Sequence, residues 1–165
     1  MPAEPRNPER REKAERETPF SAPILLVVDA SDTVVKAARR AAEVAAAFKT
    51  RIVAVSVVDT ETLEHLLRHN ILVKDEMEEF KHDLGESAKS YLRMASATAQ
   101  ELGVPCEEVL LHGSWHQSVI AKRREIGAGL VVVGGFRYTM IRRDIVGKAK
   151  QLIIDEVQCP VLIVR

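Results

Sequence analysis

Two acids and a run of bases carry the chemistry this sequence can offer. Asp29 and Asp59 each follow directly on a stretch of apolar residues. A carboxylate in that position can accept hydrogen bonds from a ligand or cap the helix that follows. Between Gly134 and Lys150 stand Arg137, Arg142, Arg143, Lys148 and Lys150 against the single acid Asp144, so the segment carries +4 in a chain of 24 basic and 24 acidic residues. Backbone amides after a strand and at a helix start make a nest for anions, and the helix dipole favours phosphate there. The plain alternative is a solvated basic loop.

Other constellations are weaker. Gly147-Lys148 lacks the earlier glycine and the following Ser or Thr of a P-loop, and no GxGxxG occurs. His65 and His69, like His112 and His116, stand four apart, but neither pair has a third ligand at suitable spacing, so no metal site is expected. Ser114 and His116 invite comparison with a hydrolase, yet there is no GxSxG elbow, and Ser114 with Gln117 has the spacing of a capping box. A phosphoacceptor domain needs its acid after the third strand, where this chain has His112-Gly113. Asp75-Glu76 and Glu78-Glu79 flank Met77 and read as the wet face of a helix.

These residues must be held by an alternating series of elements. Ile24 to Val28, Ile52 to Val58, Val109 to Leu111, Leu130 to Val133 and Val161 to Val164 are short apolar, mostly β-branched runs, as in parallel strands covered on both faces. Between them lie amphipathic stretches: Val34, Ala37, Ala41, Val44 and Phe48 mark one helix, for which Ser31 and Asp32 are candidate caps. Met77, Phe80, Leu84, Ala88, Leu92, Ala95, Ala99 and Leu102 mark a longer one that Gly103 ends, with Leu63, Leu66 and Leu67 forming a short turn or lid before it. Further helices follow Ser114 and precede Val161, the former ended by Gly127 and the latter showing Ile145, Ala149, Leu152 and Ile153. Five strands alternating with helices predict an open α/β sheet with right-handed crossovers. Ligands of such sheets bind beyond the strands' carboxyl ends, which sets Asp29, Asp59, His112 and Gly134 along one rim.

Composition bounds the rest. With 165 residues, 46% hydrophobic and 29% charged, the chain has the make-up of one soluble globular domain without the basic excess of a nucleic-acid or membrane-surface binder. No apolar run approaches the ~20 residues that span a bilayer. Residues 1–20 hold four of the seven prolines and balance five Glu with five Arg or Lys, the composition of a mobile tail; residues 21–165 form the domain. The tail lacks the apolar stretch of a secretory signal, and Cys106 and Cys159 have no CxxC spacing, so a reduced, cytoplasmic protein is expected.

The opening ILLVVDAS, the fourth run LVVVGG, the ending CPVLIVR and the order of elements resemble the universal stress protein family over roughly residues 22 to 165. The resemblance implies a Rossmann-like sheet of order 3-2-1-4-5 and a homodimer in which the last strands, here 161–165, pair in antiparallel fashion. Members that bind ATP carry Gly, two residues, Gly, nine residues, Gly, then Ser or Thr. Gly134 and Gly147 match, whereas Arg137 and Lys148 stand at the second and fourth positions. An arginine there obstructs close approach of the backbone to phosphate, while a lysine in place of the hydroxyl supplies a cation.

The resemblance further implies Asp29 at the ribose or adenine, Val28 and Val57 against the base, Gly134, Phe136 and Arg137 beside sugar and phosphates, and Gly147, Lys148, Ala149 and Lys150 at the phosphate end. The reading is a stress-response regulatory or binding protein with a degenerate ATP pocket. The alternatives are a nucleotide-independent dimeric scaffold acting through an unknown protein partner, or a slow ATPase or autophosphorylating protein for which no general base is evident.

Overall fold

The computed structural model of the chain describes residues 19–135 and 145–165. The expected tail therefore lies almost wholly outside the described residues, as do Phe136, Arg137, Arg142, Arg143 and Asp144.

The five apolar runs form five parallel strands: β1 (Ile24–Val27), β2 (Ile52–Val58), β3 (Cys106–His112), β4 (Leu130–Gly134) and β5 (Val161–Val164). Their order is β3-β2-β1-β4-β5, with Ile24 in register with Ile52 on one side and Leu130 on the other. Five helices connect them: α1 (Val34–Phe48), α2 (Thr60–Arg68), α3 (Lys74–Glu101), α4 (Trp115–Ile126) and α5 (Ile145–Glu156).

Alternation along the central strands divides the core into two layers. Ile24, Leu26 and Val28 of the first strand region and Ile52 and Ala54 of β2 face α1 and α3. Leu25 and Val27, with Val53, Val55 and Val57, face α4 and α5 through Val119 and Ile153. Because both faces are covered, β2 is buried at all seven positions, which is why its sequence shows no polar alternation. Helix α1 buries five alanines, Ala37, Ala38, Ala41, Ala42 and Ala45, in the layer it shares with the sheet and α3. Side chains that small let the helix backbone lie close, and they lose no rotamer freedom on packing.

Local signals fared unevenly. Gly127 ends α4 in the left-handed conformation, φ 63°, and Gly103 follows α3 at φ 70°. The proposed caps differ from expectation. The N-cap of α1 is Thr33, without a side-chain cap hydrogen bond, while Ser31 Oγ bonds Asp29 Oδ1 and Thr33 Oγ1. The capping box at α4 does not form: Ser114 makes no side-chain cap, and its hydroxyl instead lies 3.4 Å from His116 Nδ1. On α3, Phe80 and Leu84 are 50% and 41% exposed although they fall in the apolar stripe, whereas Met77 of the same stripe is buried.

Candidate functional site

Asp29 leaves the end of β1 where β2 and β4 flank it. Its Oδ1 accepts from Ser31 Oγ, and its Oδ2 lies 2.5 Å from Lys150 Nζ. Lys150, in the second turn of α5, is buried, and its ammonium also donates to the carbonyl oxygens of Gly134 (3.1 Å) and Gly135 (3.4 Å). One cation thus gathers three oxygens from the ends of β1 and β4. A buried lysine requires such partners, because an unmatched ammonium out of water is strongly disfavoured.

Asp59, at the end of β2, has a different task. It caps α2, accepting from Thr62 N at 3.0 Å and Thr62 Oγ1 at 2.8 Å. Gly113, after β3, donates to Val58 O and holds φ at 125°, a conformation open to glycine. The two expected rim acids are therefore held in place by separate partners, one by a buried lysine and one by a helix end.

Between them a cavity of about 340 Å³ opens at the carboxyl ends of β1 and β2. Val28, Asp29 and Ala30 form one wall and Ser56 to Asp59 another. Helix α2 contributes Thr62 and Leu63, α3 contributes Leu84, Ser87, Ala88 and Tyr91, and Trp115 and Ala149 close it from α4 and α5. Apolar walls with a few converging polar groups, at the small end of the usual ligand-pocket range, suit a planar heteroaromatic ring bearing donors. A second hollow of about 280 Å³ adjoins it, sharing Asp59, Thr62, Trp115 and Ala149 and adding Glu61, Ser114, His116, Lys148 and Leu152. Lys148, unlike Lys150, is exposed. A further concavity, about 680 Å³, lies at the opposite end of the sheet beside Pro23, Lys49, Thr50 and Pro105, away from the rim where ligands of this architecture bind.

Of the residues expected at a ligand, Val28, Asp29, Val57 and Ala149 line the main cavity, Lys148 the adjoining one, and Lys150 stands behind Asp29. Gly147 lies within α5. Gly134 ends β4 beside Thr33: a Cβ built there would come within 2.3 Å of Thr33 Oγ1, so a side chain at this position would force the threonine to shift. Phe136 and Arg137 fall outside the described residues. Trp115, Tyr91, Leu84 and Thr62 were not singled out as ligand contacts. The signal for Trp115 was its place directly after the β3 turn as the chain's only tryptophan.

The rings of His65, on α2, and His69, the residue that caps its C-terminus, lie 4.3 Å apart, and both residues are exposed. No group of three metal-ligating side chains occurs among the described residues, and no described helix is long and apolar enough to cross a membrane.

Comparison with known proteins agrees with this architecture. The model of the universal stress protein family matches residues 22–165. A universal stress protein from Methanocaldococcus jannaschii is 26% identical over 142 residues, covering 86% of this chain and 81% of its own. Among solved structures, a universal stress protein from Archaeoglobus fulgidus in complex with dAMP superposes with a TM-score of 0.62 at 23% identity, covering 87% of this chain and 98% of that one. A universal stress protein in complex with cAMP does so with a TM-score of 0.62 at 20% identity, covering 87% and 96%.

Proposed function

This chain belongs to the universal stress protein family, and we propose that it is a cytoplasmic stress-response binding protein whose sheet rim takes an adenine nucleotide. One observation carries the reading: the cavity between β1, β2 and α3 is lined by Val28, Asp29 and Val57, the residues at which the family resemblance places base and ribose. That relatives of the same fold are complexed with dAMP and cAMP supports an adenine ligand.

The base lies between the valines and Trp115 in this reading, with the sugar toward Asp29. Phosphates extend toward Gly147, Lys148 and the basic segment that includes Phe136 and Arg137. The pocket is degenerate toward ATP because two of four motif positions are changed, Arg137 and Lys148. The protein acts as a homodimer through β5 and regulates by binding rather than by turnover.

Calorimetric titration with MgATP and with AMP at two salt concentrations tests this. Micromolar binding, about −8 kcal/mol, supports it. No heat with either nucleotide, and no competition, overturns it.

A second reading, a nucleotide-independent dimeric scaffold, draws on one contact. The tight approach of Thr33 to Gly134 explains that glycine without any ligand.

A further inference from the structure

The buried lysine changes what the cavity can select. Five basic residues between 137 and 150 invite the assumption that all serve phosphate, but Lys150 directs its ammonium inward, onto Asp29 and two backbone carbonyls. Its side chain is only 5% exposed and that of Asp29 only 14%, so the pair is withdrawn from solvent, with Asp29 on the cavity wall and Lys150 behind it.

Each carboxylate oxygen of Asp29 has one partner in place, Ser31 Oγ on Oδ1 and Lys150 Nζ on Oδ2. A carboxylate oxygen accepts two hydrogen bonds, so each keeps one acceptor position. Asp29 lines the cavity and is held from behind, a fixed acceptor that welcomes O–H donors. The main cavity is lined by Asp29 and Asp59 and by no lysine or arginine among the described residues, Lys150 standing behind Asp29. A phosphate drawn into that space would meet two carboxylates and an ammonium already engaged with three oxygens.

We propose that Lys150 is a positioning residue which fixes Asp29 as an acceptor for the ligand's sugar hydroxyls, making the cavity selective for the nucleoside moiety and nearly indifferent to the number of phosphates. The inference rests on the adenine-nucleotide reading and deepens it. Hydrogen bonds to a fixed charged acceptor in a sheltered site are among the stronger ones, whereas a phosphate that meets, among the described residues, only the exposed Lys148 gains little at physiological salt.

The test compares adenosine, 2′,3′-dideoxyadenosine, AMP and ATP by calorimetry on the full chain and on Lys150→Met. The expected result has two parts. The wild-type protein binds adenosine at least about tenfold more tightly than the dideoxy analogue, and adenosine, AMP and ATP agree within about fivefold. In Lys150→Met the hydroxyl preference collapses toward unity while the adenosine-to-ATP ratio stays put, which a merely structural lysine would not produce. Asp29→Asn/Lys150→Met removes both charges of this pair; it is expected to show the same collapse and serves where the single variant does not fold.

ATP binding more than tenfold tighter than adenosine, with that advantage lost in Lys150→Met, would make Lys150 a phosphate ligand and overturn the proposal while leaving the nucleotide reading intact. An unchanged hydroxyl preference in the variants also overturns it. If no adenine compound binds, both readings fall together.

Discussion

Lys150 Nζ sits 2.5 Å from Asp29 Oδ2, tying the second turn of α5 to the end of β1 across the end of β4. Both groups are largely withdrawn from water, so neither is well tolerated alone. Replacing Lys150 by Met leaves Asp29 buried without its counter-ion and is expected to cost about 3–5 kcal/mol in unfolding free energy. Asp29→Asn/Lys150→Met, which removes both charges, is expected to recover most of that loss. Urea unfolding of the two variants decides the matter. A single-variant cost under about 1 kcal/mol would show that the pair is solvated and weak.

The packing at Gly134 gives a second test. A methyl group at this position meets Thr33 Oγ1 at 2.3 Å, too close for any real contact, and Thr33 is itself buried. Gly134→Ala should therefore destabilise by about 1–3 kcal/mol. Combining it with Thr33→Ala removes the colliding hydroxyl and should restore part of the loss, a non-additivity that a double-mutant cycle reads directly. Simple additivity would mean that the glycine serves something other than Thr33.

How far the sequence revealed these arrangements depended on the range of the interaction. Strands such as Ile52–Val58 were legible because burial on both faces leaves a continuous apolar run, and the rim followed from topology. The partnership of Asp29 and Lys150, 121 positions apart, was not legible: topology sets Asp29 on the rim and the family resemblance sets Lys150 at the phosphate end, yet nothing local says that the lysine turns inward. Caps were misplaced for a related reason. Ser31 and Ser114 have the right identity and position for capping, but each hydroxyl found another polar partner, Asp29 and His116 respectively. Trp115 escaped because an aromatic residue at a helix start reads equally as core.

Trp115 provides a reporter for the site. It is the chain's only tryptophan and lines both hollows at the rim. Saturable change of its fluorescence on titration with AMP is the expected outcome, with Trp115→Ala weakening binding by about 0.5–1.5 kcal/mol beyond the lost contact area. Binding detected calorimetrically with no optical response would place the ligand away from this cavity.

Cys106 makes stability depend on pH in alkaline solution. Burial pushes its thiol above the ordinary value, Glu108 and Glu107 add to the rise, and hydrogen bonds from Ser96 and Ala54 oppose it. The folded chain thus keeps a proton that the unfolded chain gives up. The stabilisation this brings is complete below the ordinary thiol value, about 8.5, and is lost as pH rises through the higher folded value. Unfolding midpoints measured from pH 7.5 to 10 should fall less steeply in Cys106→Ala than in the wild-type chain. Equal slopes would show that the thiol titrates normally.

The last strand tests the proposed dimer. β5 pairs with β4 on one side only, at the edge of the described sheet, and Ile163 is 39% exposed. Pro160 O accepts from Val131 N, and Val164 O accepts from Gly135 N, so Pro160 and Val164 turn their carbonyls to β4. By the alternation of a strand, Val161 and Ile163 direct their backbone groups outward, where a second copy could bond them. Ile163→Pro removes an outward N–H and leaves the bonds to β4 in place. The wild-type protein is expected to sediment as a dimer and Ile163→Pro as a folded monomer, because an apolar edge with open backbone groups demands a partner. A monomeric wild-type chain, or a dimer that tolerates the proline, would move the subunit contact away from β5.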